Sequence, residues 1–403
     1  MFRSVLMCGC GLCFLPMLAE SPADLRVFWN NGLRMESADG VHRFQFGGRF
    51  QQDFAFFTTH GSLDENIPGI EDGTLFRRAR VYFAGSLAPQ LLFRTEYDFA
   101  GGAAGFRDLW IEAQSIPWAS HVRLGRMIEP FGMEGTSPNG FFTFIERGLP
   151  AAFTPFRNSG IMIRNHALHQ QITWAAGAFT HTDGFGDSVA DPGRSVTGRI
   201  TALPLYTQDG RTWWNVGLSA SHRTPSADSV RFRARPESQI APFFADTGAL
   251  AAEQTRLIGV ETAANRGAVS IQAEAVRAEV DALESESIPA GTRSFQGFYV
   301  YGSWMLTGEA RPFLRRTATL GRILPNRPFA PAERGFGAWE VAARYSELDL
   351  NDGPVTGGKL STLTLGLNAY LTPNSRLSWN WVRADVEAYG EADIFQMRVY
   401  VDF

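Results

Sequence analysis

Arginine occupies every second position of Val230-Arg231-Phe232-Arg233-Ala234-Arg235-Pro236. In an extended chain successive side chains point to opposite faces, so the three guanidinium groups share one side, with neighbours about 6.8 Å apart. Like charges at that spacing repel, and an anion lying between them relieves the repulsion. Each guanidinium also offers a planar fork of N–H donors that matches an oxyanion. The stretch therefore reads as a ladder of anion sites. The bland alternative is a charged, solvated edge strand that discourages aggregation. Arginines on other alternating runs, notably Arg49, Arg78, Arg80 and Arg94, could line the same passage.

Other chemistry is sparse. The three cysteines, Cys8, Cys10 and Cys13, all lie in residues 1–20. That segment has a basic start at Arg3, a short apolar core to Leu18 and small residues at Ala19, Ser21 and Ala23. It reads as a secretory signal cleaved near residue 20 or, at the latest, after Ala23. The mature chain then has no thiol or disulfide. No histidine sits beside a serine in a nucleophile motif, and His166 with His169 supplies only two ligands for a metal. No catalytic residue, metal or cofactor is expected. Of 37 basic residues only Lys359 is lysine, and the net charge of −4 gives no reason to expect a nucleic-acid partner. Attraction for anions must come from where the arginines sit, not from overall charge.

The elements that position these arginines alternate with period two. Phe44, Phe46, Phe50, Phe54 and Phe56 share one face, and Arg43, Gln45, Arg49, Gln51 and Asp53 share the other. The pattern recurs over 43–57, 75–86, 90–99, 106–114, 119–129, 160–165, 171–180, 194–203, 212–223, 256–264, 268–280, 295–307, 337–348, 361–371, 376–387 and 393–403. Past the N-terminus no apolar run is long enough for a membrane helix. Aromatic residues are 13% of the chain, which suits the girdles of a membrane barrel. The expected fold is all-β: a transmembrane antiparallel β-barrel of about 16 strands, the even number of a bacterial outer-membrane barrel, ending on the aromatic Phe403.

Residues 1–20 form the signal, 21–42 an N-terminal periplasmic segment and 43–403 the barrel. Short inner turns fall at 115–118, 265–267 and 372–375, and outer loops at 58–74, 130–159, 225–255 and 350–360. One long connection, 308–336, falls on the periplasmic side. The loop 130–159 is long and rich in Phe, so it is expected to fold inward and narrow the lumen. The arginine ladder belongs to the 225–255 loop.

The motifs Phe46-Gly47-Gly48-Arg49, Phe76-Arg77-Arg78-Ala79, Glu129-Pro130-Phe131-Gly132, Glu146-Arg147 and Arg231 to Ser238 carry a resemblance across nearly the whole mature chain. So do Asp246-Thr247-Gly248, Leu306-Thr307-Gly308-Glu309 and Gly337-Ala338-Trp339-Glu340. Taken together, they make the chain resemble the phosphate-selective porins O and P. The resemblance implies a sixteen-stranded, trimeric outer-membrane channel of a Gram-negative bacterium with an inward-folded third loop. It implies inorganic anions such as phosphate as partners, alongside outer-membrane lipid. Arg231, Arg233 and Arg235 then look like the ladder, Arg49, Arg77, Arg78 and Arg147 like cations of the central site, and Asp108 and Ser137 like polar groups beside them. One departure concerns lysine. The phosphate channels use lysines at the constriction and toward the periplasmic exit, where this chain offers Met133-Glu134 and no lysine at all. A general or sugar porin is the alternative, and an outer-membrane hydrolase the remote one.

Overall fold

The computed structural model describes residues 25–102, 104–117, 119–188 and 192–403. The expected signal lies outside them. The segment read as a polar periplasmic stretch contains a hairpin, β1 (Leu25–Trp29) and β2 (Leu33–Ser37), and β2 pairs with the first barrel strand.

Sixteen strands follow: β3 (Arg43–Gly61), β4 (Gly73–Ala88), β5 (Leu91–Asp98), β6 (Gly105–Ile116), β7 (Ser120–Ile128), β8 (Arg157–Ala167), β9 (Ile172–Thr180), β10 (Arg194–Tyr206), β11 (Thr212–Thr224), β12 (Leu250–Arg266), β13 (Val269–Ala282), β14 (Gly291–Met305), β15 (Ala338–Asp352), β16 (Val355–Thr372), β17 (Ser375–Val386) and β18 (Gly390–Asp402). Each pairs antiparallel with its sequence neighbour. The sheet closes where β18 runs along β3, from Gly390 opposite Gly61 to Asp402 opposite Arg49. Closure leaves none of these sixteen strands with an open edge, which a wall in hydrocarbon requires. The terminal residue seals the seam: Phe403 N–H donates to Gly48 O at 3.0 Å, and Phe403 O accepts from Gly48 N–H at 2.8 Å. Its ring lies against Phe46 and Phe50.

The alternation places charge inside. On β3 the lumen face carries the buried Gln51 and Asp53, while Phe50 and Phe56 are exposed on the outer face. On β12 to β14 the outer face shows Ile258, Val260, Ile271 and Val300, and the inner face buries Glu261, Gln272 and Glu274. The wall is uneven. Strands β5 to β9 have 8 to 12 residues, whereas β12 to β18 have 12 to 18.

Two connections depart from the sequence reading. Residues 350–360 form no loop: β15 and β16 extend to a tight turn, with Asp352 paired to Val355. The ladder between them carries one register shift, between Asp349 and Asn351. The long periplasmic connection 308–336 turns back into the lumen. Phe313 packs on Trp213 with ring centroids 4.7 Å apart, and the Trp213 indole N–H donates to Arg311 O at 2.9 Å.

Candidate functional site

The third outer loop, between β7 and β8, crosses the lumen as expected. Apolar side chains fix it, with Phe131, Met133, Ile145 and Leu149 buried. Backbone that crosses a lumen needs partners for its polar groups. The short helix α1 (Met133–Thr136) points its first N–H groups at the Glu274 carboxylate, with Met133 donating at 2.9 Å and Glu134 at 2.7 Å. Gly132 sits there at φ +66°, and a Cβ on it would fall 2.6 Å from the same carboxylate, so only glycine fits. Asn368 donates to Thr143 O at 2.8 Å and Arg376 to Phe142 O at 2.6 Å. The periplasmic connection is tied to the same loop, because Leu320 N–H donates to Ser137 Oγ at 3.2 Å.

The ladder loop, between β11 and β12, lies against this third loop. Exposure alternates along Arg231 to Arg235, with Phe232 and Ala234 buried. The ring of Phe232 meets Phe153 of the third loop at 5.0 Å and Phe295 of the wall at 5.9 Å, which turns the arginine face away from that packing. Glu237 holds the end of the ladder. It is buried at φ +52° and accepts from Arg344, from Thr362 Oγ1 at 3.0 Å and from Thr364 Oγ1 at 2.5 Å.

Two chambers meet at the third loop. One, of about 700 Å³, is lined by seven arginines that include Arg77, Arg78, Arg126 and Arg147. The other, of about 300 Å³, is lined by Arg49, Glu96, Asp108, Ser137 and Arg322, among others. Arg80, Asn139, Arg147 and Arg157 line both, so they mark the neck between them.

What separates these arginines is their partners. Arg77 forks onto Glu146 at 2.7 and 3.1 Å, and Arg80 reaches Asp98 at 2.8 Å and Glu96 at 3.0 Å. Arg157 forks onto Asp108 at 2.9 and 3.4 Å, and Arg231 onto Asp246 at 2.7 and 2.5 Å. Arg49 donates to Asn139 at 2.6 Å and lies 3.7 Å from Glu96. Among the described residues, four others have no carboxylate within ion-pair distance. Arg78 donates to Gln51 Oε1 at 2.5 Å, and its Nε is buried without a partner. Arg147 donates to Glu134 O at 3.0 Å and lies over the rings of Phe142 and Phe156. Arg233 and Arg235 lie over one ring, Phe243, at 4.1 and 4.2 Å from its centroid, and Arg235 also donates to Ala241 O.

All nine predicted residues therefore lie on the lumen loops or the inner wall, in different roles. Asp108 is taken up by Arg157, and Ser137 staples the periplasmic connection. Arg231 is the one ladder arginine with a carboxylate partner. Sequence reasoning missed Arg126, Asn139, Arg157 and Phe243, whose roles depend on contacts between distant segments. Glu134, at the place where the phosphate channels carry a cation, lines neither chamber. Its carboxylate accepts from Gly148 N–H at 3.0 Å and lies 3.6 Å from Arg344. Burial pushes its pKa above the usual carboxylate range.

A family model, phosphate-selective porin O and P, matches residues 44–403. The chain belongs to this family. It is a porin of the Gram-negative outer membrane that passes anions, a channel and not an enzyme. Porin O of Pseudomonas aeruginosa is 22% identical over 93% of this chain and 90% of its own length. Among solved structures, the anion-selective porin from Comamonas acidovorans superposes with a TM-score of 0.55 at 14% identity, covering 90% of this chain and all of that one. The outer-membrane channel DcaP of Acinetobacter baumannii gives 0.56 at 12% identity, covering 91% and 99%. At these identities the two structures speak to the fold alone.

Proposed function

We propose that this porin selects phosphate or similar oxyanions, and that the arginines without a carboxylate partner carry the selection. The observation behind this reading is the row of guanidiniums without a carboxylate at ion-pair distance among the described residues: Arg233 and Arg235 on the ladder, then Arg78 and Arg147 at the chambers. A carboxylate-paired arginine has spent its charge and its fork. One held by an amide, a carbonyl or a ring keeps both for a passing anion. Several modest sites in series let an ion enter without being trapped. The paired residues Arg49, Arg77, Arg231 and Asp108, with Ser137, shape the passage and fix its loops. The family name adds phosphate as the expected oxyanion.

The test is the zero-current potential across a KCl gradient in planar bilayers, followed by titration with phosphate and with maltose. The wild-type potential should show anion preference, and phosphate should inhibit the chloride current where maltose does not. The Arg231, Arg233 and Arg235 triple alanine variant should lose part of that preference. An unchanged potential in this variant would leave the ladder a charged loop edge. We also propose a homotrimer embedded in outer-membrane lipid, with the low wall of β5 to β9 at the subunit contacts. A detergent-resistant trimer band tests this, and a monomer at all protein concentrations would refute it.

A further inference from the structure

We propose that Phe243 is the positioning residue of the arginine ladder. It holds Arg233 and Arg235 at a set spacing, so that one oxyanion meets two pre-arranged forks. The inference rests on the reading of the ladder as the anion path. Three observations carry it. Both guanidinium carbons lie just over 4 Å from the centroid of this one ring, so they are no farther apart than twice that distance. Neither arginine forms an ion pair among the described residues, so no carboxylate fixes them. The ring itself is half-buried and belongs to none of the apolar clusters of the core.

The backbone sets up this arrangement. Arg233 pairs with Asp246 and Ala234 with Ala245, and Phe244 N–H donates to Ala234 O at 2.9 Å. The ribbon so formed buries Phe232 and Phe244 and leaves Phe243 beside the arginines. Without the ring, Arg233 would be free to splay away from its like-charged neighbour and sample many rotamers, while Arg235 would keep only its hydrogen bond to Ala241 O. An anion would then have to gather them, and the ordering cost would weaken its hold. A guanidinium stacked by its face on an aromatic ring keeps its N–H edge free for an acceptor. The ring therefore adds order and leaves the donors available.

The experiment compares wild type with Phe243→Leu, Phe243→Met and Phe243→Tyr, each as the full chain in planar bilayers with inorganic phosphate as the probe. Heat-resistant migration on gels checks assembly. Leu and Met keep apolar volume but offer no ring face. Both variants should retain the chloride zero-current potential, because no charge is removed, and should raise the phosphate concentration for half-inhibition by about fivefold. Tyr should restore the wild-type value. Wild-type half-inhibition in both Leu and Met, or no rescue by Tyr in an assembled channel, would overturn the role of Phe243. A wild type without anion preference would instead defeat the functional reading itself, and that result is read before any variant is made.

Discussion

Arg78 and Arg80 stand two residues apart on the same face of β4, both buried, yet their substitutions should have opposite consequences. Arg78→Met removes a cation whose hydrogen-bond partner is the neutral Gln51 amide. An anion about 4 Å from a unit charge gains about 1 kcal/mol in bulk water and about 4 kcal/mol at an effective dielectric of 20. The adjoining chamber, at about 700 Å³, is far larger than a single water needs and so is hydrated, and the low end applies. A loss of about 1–2 kcal/mol raises half-inhibition by phosphate roughly 5- to 30-fold. The barrel should lose less stability than in Arg80→Met, because the acceptor left behind is the neutral Gln51 amide and not a carboxylate. Arg80→Met strands part of the hydrogen bonding of Glu96 and Asp98. Arg94 still reaches Glu96 at 2.6 Å and Arg107 still reaches Asp98 at 3.1 Å. The expected destabilisation is therefore about 1–3 kcal/mol, below the cost of a fully broken buried pair. Phosphate titration of the chloride current and thermal unfolding in detergent read the two effects. Equal destabilisation by both substitutions, or unchanged phosphate inhibition in Arg78→Met, would refute the distinction between paired and free arginines.

Three further outcomes are expected. Asp246→Asn should free Arg231 and strengthen anion preference at neutral pH. The Arg231 hydrogen bond holds the Asp246 carboxyl below its usual range, so the bridge is present above the unfolded value and is lost only as pH falls through the depressed one. The wild-type potential should then stay flat from about pH 8 to about pH 5. Glu237→Ala should leave Arg344 without its carboxylate and loosen the ladder, lowering both thermal stability and phosphate inhibition, whereas Arg231→Ala should lower neither much. Deleting Phe403 should slow assembly, measured as the fraction of heat-resistant barrel, because the seam loses two hydrogen bonds with Gly48 and two ring contacts.

The barrel was legible because lumen and lipid impose one rule on every strand. Side chains at i and i+2 meet the same medium, so sixteen alternating runs marked sixteen strands. The third loop was legible too, since its phenylalanines have no place in water. The connection 308–336 gave no such sign. Its buried apolar side chains, Phe313, Ala318, Leu320 and Ile323, are irregularly spaced, and Trp213, on which Phe313 packs, lies in β11 about a hundred residues earlier. The ladder could be seen by its spacing, but not the fate of each rung. Arg231 finds Asp246 fifteen residues on, and Arg77 finds Glu146 sixty-nine residues on. Pairing at that range is settled by which loops enter the lumen, and period two carries no trace of it.

The missing lysines look different once the partners are known. A cation at the position of Glu134 would serve the pore only if its side chain reached a chamber. Here that side chain turns back into its own loop, toward Gly148 and Arg344. The nearby charge comes from Arg147, which leans on two aromatic rings at the neck. Lysine is a strongly hydrated point charge that attracts any anion, whereas a guanidinium is weakly hydrated, always charged and shaped for two oxygens at once. A pore whose cations are all arginine therefore gives up little attraction for charge and gains a preference for shape. On the proposed reading, the departure from the lysine-bearing channels narrows selectivity toward oxyanions over halides.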